Sequence, residues 1–219
     1  MRINKYVAQS TALSRRAADT AIEEGRILVN GVLPTPGQHI AETDRVTVDG
    51  KPITPPKHHQ TILLNKPIDY VCSRDGQGSK TIYELLPKEY QHLNSVGRLD
   101  KNSSGLLLLT DDGQLAQELA HPSHQKEKIY EIRLDHELTP EDFETITKKG
   151  VGLEDGLSKF ALDYINDDNF EWKVTMKEGR NRQIRRTFDA LGYTVTKLHR
   201  THFGNYRLDE LELGGTKEV

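Results

Sequence analysis

The chain has 219 residues, with 30 Lys and Arg against 33 Asp and Glu and a formal net charge of −3, long enough for one mid-sized domain plus a small one. No apolar run approaches the roughly eighteen residues that a membrane span needs, and Met1 to Lys5 lead into no apolar signal region. The single cysteine, Cys72, excludes an internal disulfide framework and a cysteine-rich zinc site, so a soluble protein of the reducing cytoplasm is expected.

Residues 1–53 read as a small separate unit. Ile3, Tyr6 and Val7 give a short amphipathic turn, and Ser14 is placed to cap a helix from Arg15 to Glu24 that stops at Gly25. The short apolar runs Arg26 to Val29 and Arg45 to Val48 end in Asn30-Gly31 and Asp49-Gly50, both tight-turn signals. The pattern from Leu13 to Gly31 resembles the S4 RNA-binding domain. That resemblance places Arg2, Lys5, Arg15, Arg16 and Arg26 on a shared phosphate-binding face, where a helix start and guanidinium groups point their donors the same way. Such contacts grip RNA in a salt-dependent way and carry little sequence information.

Thr54 to Gln60, rich in Pro and polar residues, reads as a linker. Beyond it, residues 61–219 mix strands and helices without βαβ alternation. Strands are expected at Thr61 to Pro67, Tyr70 to Ser73, Leu93 to Leu99, Lys128 to Leu134, Phe170 to Met176 and Val195 to His199. Helices are expected at Gln114 to Leu119, from Thr139 onward with Pro140 in its first turn, and at Gln183 to Leu191 before Gly192. The fold class is therefore α+β, with a mixed, mostly antiparallel sheet flanked by helices. Residues 150–170 and the tail from Leu208 show no readable pattern.

One segment carries chemistry. Gly97-Arg98-Leu99-Asp100-Lys101-Asn102-Ser103-Ser104-Gly105 puts a carboxylate between an expected strand and a small-residue loop, followed by Leu106 to Thr110 and the turn Asp111-Asp112-Gly113. Three more motifs follow the same order: Asn65-Lys66-Pro67 upstream, Lys128-Ile129-Tyr130-Glu131-Ile132, and Lys177-Glu178-Gly179-Arg180-Asn181-Arg182-Gln183-Ile184-Arg185-Arg186. Together they resemble the RsuA-type family of RNA pseudouridine synthases over essentially the full chain.

The resemblance implies an isomerase that converts a specific uridine of ribosomal RNA, free or in an assembly intermediate, to pseudouridine. It implies no cofactor and no metal, and a monomer is expected. Asp100 falls on the catalytic aspartate and Tyr130 on the aromatic residue that stacks on the base. Arg180 takes the place of the arginine that pairs with the aspartate, and a nearby cation is what a carboxylate in a water-poor pocket needs to stay ionised. Lys128 shares a strand face with Tyr130 and is expected to contact the substrate. Ile184 forms the pocket wall, Arg98 adds a phosphate or structural contact, and Lys66 serves the fold or the RNA. Arg182 stands where many members have histidine, which leaves its role open.

Composition alone argues weakly against nucleic acid, yet the charges segregate. Lys177, Arg180, Arg182, Arg185, Arg186, Lys197, Arg200 and Arg207 crowd one stretch, while Glu137 to Asp155 and Asp163 to Glu171 hold much of the acid. The nine histidines show no zinc spacing, and there is no Walker loop, dinucleotide fingerprint or serine-nucleophile elbow. A non-catalytic RNA-binding or ribosome-assembly factor, and a synthase directed at tRNA, are the alternatives.

Overall fold

The computed structural model describes residues 1–11, 13–56, 58–166 and 169–219. Residues 1–60 with 111–113 form one compact unit, and residues 61–110 with 114–219 form the other. Lys57 of the expected linker and Asp167 and Asp168 of the second acidic stretch lie outside the described residues.

In the first unit, helix α1 (Ile3–Ser10) packs on α2 (Arg15–Glu23), whose Ser14 cap accepts a hydrogen bond from the Ala17 N–H at 3.1 Å. The chain leaves α2 through Gly25, at φ +73°. Strands β1 (Ile27–Val29), β2 (Val46–Val48) and β3 (Lys51–Ile53) then form an antiparallel sheet in that order. Asp49 and Gly50, both at positive φ, make the two-residue hairpin whose twist suits flanking strands. Ile3, Val7, Ala18, Ala21, Ile27, Ile40 and Val46 close a core of their own.

The second unit is built on a mixed sheet. Its elements are β4 (Thr61–Lys66), β5 (Asn94–Ser95), β6 (Ser104–Thr110), α3 (Gly113–Ala120), β7 (Lys128–Leu134) and α4 (Pro140–Glu144), which runs on as a wider turn over Thr145–Lys149. There follow β8 (Val151–Leu153), β9 (Gly156–Ser158), β10 (Ala161–Tyr164), β11 (Glu171–Met176), α5 (Gln183–Asp189), β12 (Val195–Phe203), β13 (Tyr206–Arg207) and β14 (Thr216–Glu218). The strand order is β10-β11-β7-β12-β6-β4-β14, with β5 on β6 and β13 on β12, while β8 and β9 form a separate hairpin. All described pairings are antiparallel except β12 with β6.

The leucine run of β6 is apolar at successive positions because both of its faces are covered. Leu107 and Leu109 join the larger core with Ile132, Trp172, Val174 and Phe188, and Leu106 and Leu108 join a smaller one with Leu119, Phe203 and Leu208. Where β6 and β12 run parallel, Gly105 sits at φ +104°, and a Cβ there would lie 2.2 Å from the Arg200 carbonyl oxygen. Only glycine fits this junction.

Two expected strands are absent as such. Tyr70 to Ser73 contributes only a bridge from Val71 to Thr81, because the segment turns inward to bury Cys72. The run from Leu93 to Leu99 is a strand only at Asn94–Ser95, since Gly97 at φ +71° takes the chain out of the sheet before Asp100. Conversely, β12 extends to Phe203, and the unread segments hold the β8–β9 hairpin, β10 and β14.

Candidate active site

Asp100 sits on a loop fixed from beneath rather than by a preceding strand. Lys66, at the end of β4, is fully buried and donates from Nζ to the carbonyl oxygens of Pro67 at 3.0 Å, Asp100 at 3.1 Å and Ser103 at 2.7 Å. Burial pushes this ammonium below its ordinary pKa, with Cys72, Asp100 and Asp69 opposing the shift. Cys72 adds a second clamp, its Sγ donating to the Leu99 carbonyl at 3.3 Å and accepting from the Leu99 N–H at 3.4 Å. Burial raises the thiol's pKa, so Cys72 is a packed polar anchor and not a nucleophile.

The loop faces a cleft of about 340 Å³ whose other walls come from β7, β12 and the turn into α5. Lys128, Tyr130 and Ile132 leave β7 on one face, with Tyr130 buried at 8% exposure and Ile184 at 5% beside it. Arg98 is exposed at the mouth. The Asp100 side chain keeps 36% of its surface open, so the cleft is not the water-poor pocket expected from the sequence.

The cation beside Asp100 also differs from the expected one. Arg182, not Arg180, brings Nη1 to 3.5 Å from the Asp100 Oδ2, and the same nitrogen donates to the Asn102 side-chain oxygen at 3.3 Å. Arg182 holds φ +47°, which turns its side chain from the helix start back toward the loop. Arg180 is engaged elsewhere: Nη1 donates to the Asp155 carboxylate at 2.9 Å and to the carbonyls of Asp155 and Gly156, and Nη2 to that of Leu157 at 2.9 Å. Arg186 holds the same carboxylate through Nη2 at 2.7 Å.

Arg185 belongs to the basic stretch, and its sequence position points to no role of its own. It donates to the Val195 and Asn102 carbonyls, tying α5 to both β12 and the Asp100 loop. Burial and Arg182 press its pKa down while Asp100 pulls it up, so it belongs to the same electrostatic group. Asp155, in the stretch with no readable pattern, had no sequence signal at all.

Comparison with known proteins decides what this arrangement belongs to. Residues 60–190 match the family described as RNA pseudouridylate synthase, and residues 1–46 match the S4 domain. The chain belongs to the RNA pseudouridylate synthase family. An uncharacterized RNA pseudouridine synthase of Aquifex aeolicus is 37% identical over all of this chain and 90% of its own length. Ribosomal large subunit pseudouridine synthase B of Vibrio cholerae is 36% identical over all of this chain and 71% of its own length. The protein of the same name from Pseudomonas aeruginosa is 37% identical, and this chain spans 59% of it. A solved pseudouridylate synthase structure superposes with a TM-score of 0.71 at 31% identity, over the whole of this chain and 96% of that one.

In the S4 unit of this synthase, Arg2, Lys5, Arg15 and Arg16 lie on α1 and α2 or just before them. None has a carboxylate partner among the described residues, and Arg15 reaches the Asn4 side chain at 3.4 Å. Arg26 departs from the expected group. Asp49 clasps it with two bonds of 2.9 and 2.7 Å, and Glu24 lies 3.4 Å away, so its charge is already answered within the unit. Among the described residues of the enzyme, no helix is long and apolar enough to cross a membrane.

Proposed function

We propose that this synthase isomerises a uridine of large-subunit ribosomal RNA in the cytoplasm, with Asp100 as its catalytic residue. The observation that carries the reading is the meeting of Asp100, Tyr130 and Arg182 in one cleft from three separate segments of the chain. The large-subunit target is drawn from the relatives named for that RNA.

The reaction breaks the C1′–N1 bond and joins C1′ to C5 of the same uracil, so N1 gains a proton and C5 loses one. Asp100 engages the extruded nucleotide, as an attacking carboxylate or as the base for a sugar proton. Arg182 stands beside it, a cation 3.5 Å from the carboxylate oxygen. Tyr130 stacks on the flipped uracil, returning roughly 1–3 kcal/mol of the unstacking cost, and its hydroxyl handles the proton at C5. Ile184 supports the base from the other wall and Arg98 meets the backbone at the mouth. Arg2, Lys5, Arg15 and Arg16 hold structured RNA through phosphates.

The test compares the purified protein with its Asp100→Asn variant on transcribed small- and large-subunit RNA, mapping pseudouridine by carbodiimide-blocked primer extension. One new stop on the large-subunit RNA with wild type alone is expected, with Asp100→Asn reduced by roughly 10³-fold or more and RNA affinity within a few-fold. An active Asp100→Asn variant sinks the assignment of Asp100. Tight binding with no stop on either RNA sinks free ribosomal RNA as the substrate and points to an assembly intermediate or to a non-catalytic binder.

A further inference from the structure

At the inner end of the cleft, two cations stand without a counter-charge. Arg200 of β12 is 3% exposed and in register with Tyr130 of β7, so its side chain leaves the sheet on the face that carries Tyr130. Its Nε donates to the Leu106 carbonyl at 2.8 Å, while Nη2 is buried with no acceptor. Lys128, two residues before Tyr130 on the same face, spends Nζ on the Lys126 carbonyl at 3.0 Å. Both cations lie over the Phe203 ring, Arg200 Cζ at 4.8 Å and Lys128 Nζ at 5.2 Å from its centre.

Neighbouring Lys126 shows the contrast, since Glu118 answers its charge at 2.7 Å. Among the described residues, Lys128 and Arg200 have no carboxylate partner. Burial and Arg200 together push the Lys128 pKa down, as expected of like charges crowded in a poorly solvated place. Folding alone gains nothing from this, because an unpaired buried charge is costly and apolar side chains would pack the spot better. An anion entering from the cleft would relieve both costs.

We infer that Lys128 and Arg200 form a phosphodiester subsite, which holds a backbone phosphate adjacent to the uridine stacked on Tyr130. The inference rests on the reading of the cleft as the uridine pocket. Chemistry selects the ligand: a polynucleotide threaded past Tyr130 carries one anion per nucleotide, and no other group of RNA is charged. Gripping that phosphate fixes the rotation of the extruded nucleotide, so the sugar meets Asp100 in one orientation.

The experiment uses the full chain and large-subunit RNA transcript, with wild type, Asp100→Asn, Lys128→Met, Arg200→Gln and Arg200→Lys. RNA affinity is measured across a range of salt, and pseudouridine formation is followed where wild type is active. Lys128→Met and Arg200→Gln are expected to raise KM about tenfold and to flatten the plot of log affinity against log salt by about 0.7–0.9 each. Arg200→Lys keeps the charge and so keeps the slope. An unchanged slope and KM in folded Lys128→Met overturns the subsite; because Lys128 is only half-buried, this variant decides the matter even if Arg200→Gln fails to fold. Failure of the functional reading looks different, with wild type and Asp100→Asn equally inactive while the salt slopes still report on the two cations.

Discussion

Two segments of the second unit are restrained by different means. The Asp100 loop is held from inside, by a fully buried lysine that donates to three backbone carbonyls and by a buried thiol at Leu99. The β8–β9 hairpin is held by Arg180, which also donates to the carbonyls of Asp155, Gly156 and Leu157, and by Arg186, the two converging on Asp155, whose side chain is 41% exposed. Carbonyl oxygens sealed in a core cannot exchange partners with solvent or salt, whereas a carboxylate on the surface competes with every anion that arrives. The position of Asp100 is thus set by neutral acceptors around one hidden charge, and that of the hairpin in part by screened ion pairs.

Breaking the inner restraint gives the largest effect. Lys66→Met leaves three carbonyls, one buried and two partly buried, without their donor and is expected to cost about 3 kcal/mol, read as a shift in the urea midpoint, with kcat falling more than KM rises because the Asp100 loop loosens. Next, Arg182→Gln should lower kcat roughly 10–100-fold, while Arg180→Gln, which frees only the hairpin, should lower it a few-fold; equal losses would show that Arg180 swings to Asp100 when RNA binds. Asp155→Asn comes third. It should raise hydrogen exchange in residues 151–158 severalfold with little change in melting temperature, and high salt should produce the same exchange pattern in wild type.

The smallest effect concerns pH. His199, on the opposite face of the sheet from Tyr130, bonds Ser104 at 2.9 Å and faces Glu131 and Lys197. Burial, with Lys197, lowers its pKa below the ordinary 6.5, while Glu131 opposes the shift. The unfolded chain therefore takes up the proton first as pH falls through 6.5, so this group's contribution to stability is complete above that pH and is lost below it. His199→Gln should flatten that part of the melting-temperature profile, and a profile unchanged from wild type would show that His199 does not carry it.

What could be read from the chain follows the same division. Lys128–Leu134 alternates cleanly, so the face of Tyr130 was legible, and Ser14 and Thr139 cap helices where their spacing placed them. Asp100 was legible from its motif, but the support beneath it was not: Lys66 reads as a polar strand end, and nothing local reveals that two carbonyls from a distant loop converge on its Nζ. The exchange of Arg182 for Arg180 turns on one left-handed residue, a backbone choice that side-chain identity does not announce. Asp155 gave no signal because a single exposed carboxylate in an acidic stretch looks like its neighbours.

The parallel junction of β6 with β12 has a consequence for the order in which the enzyme comes into being. Ser104 and His199, paired there, are separated by most of a hundred residues. Until they meet, the segment bearing Asp100 and the segment bearing Tyr130 and Arg200 belong to separate halves of an open sheet, and the two cores that both halves build are incomplete. On the proposed reading, activity during refolding is expected to appear only once this seam has closed.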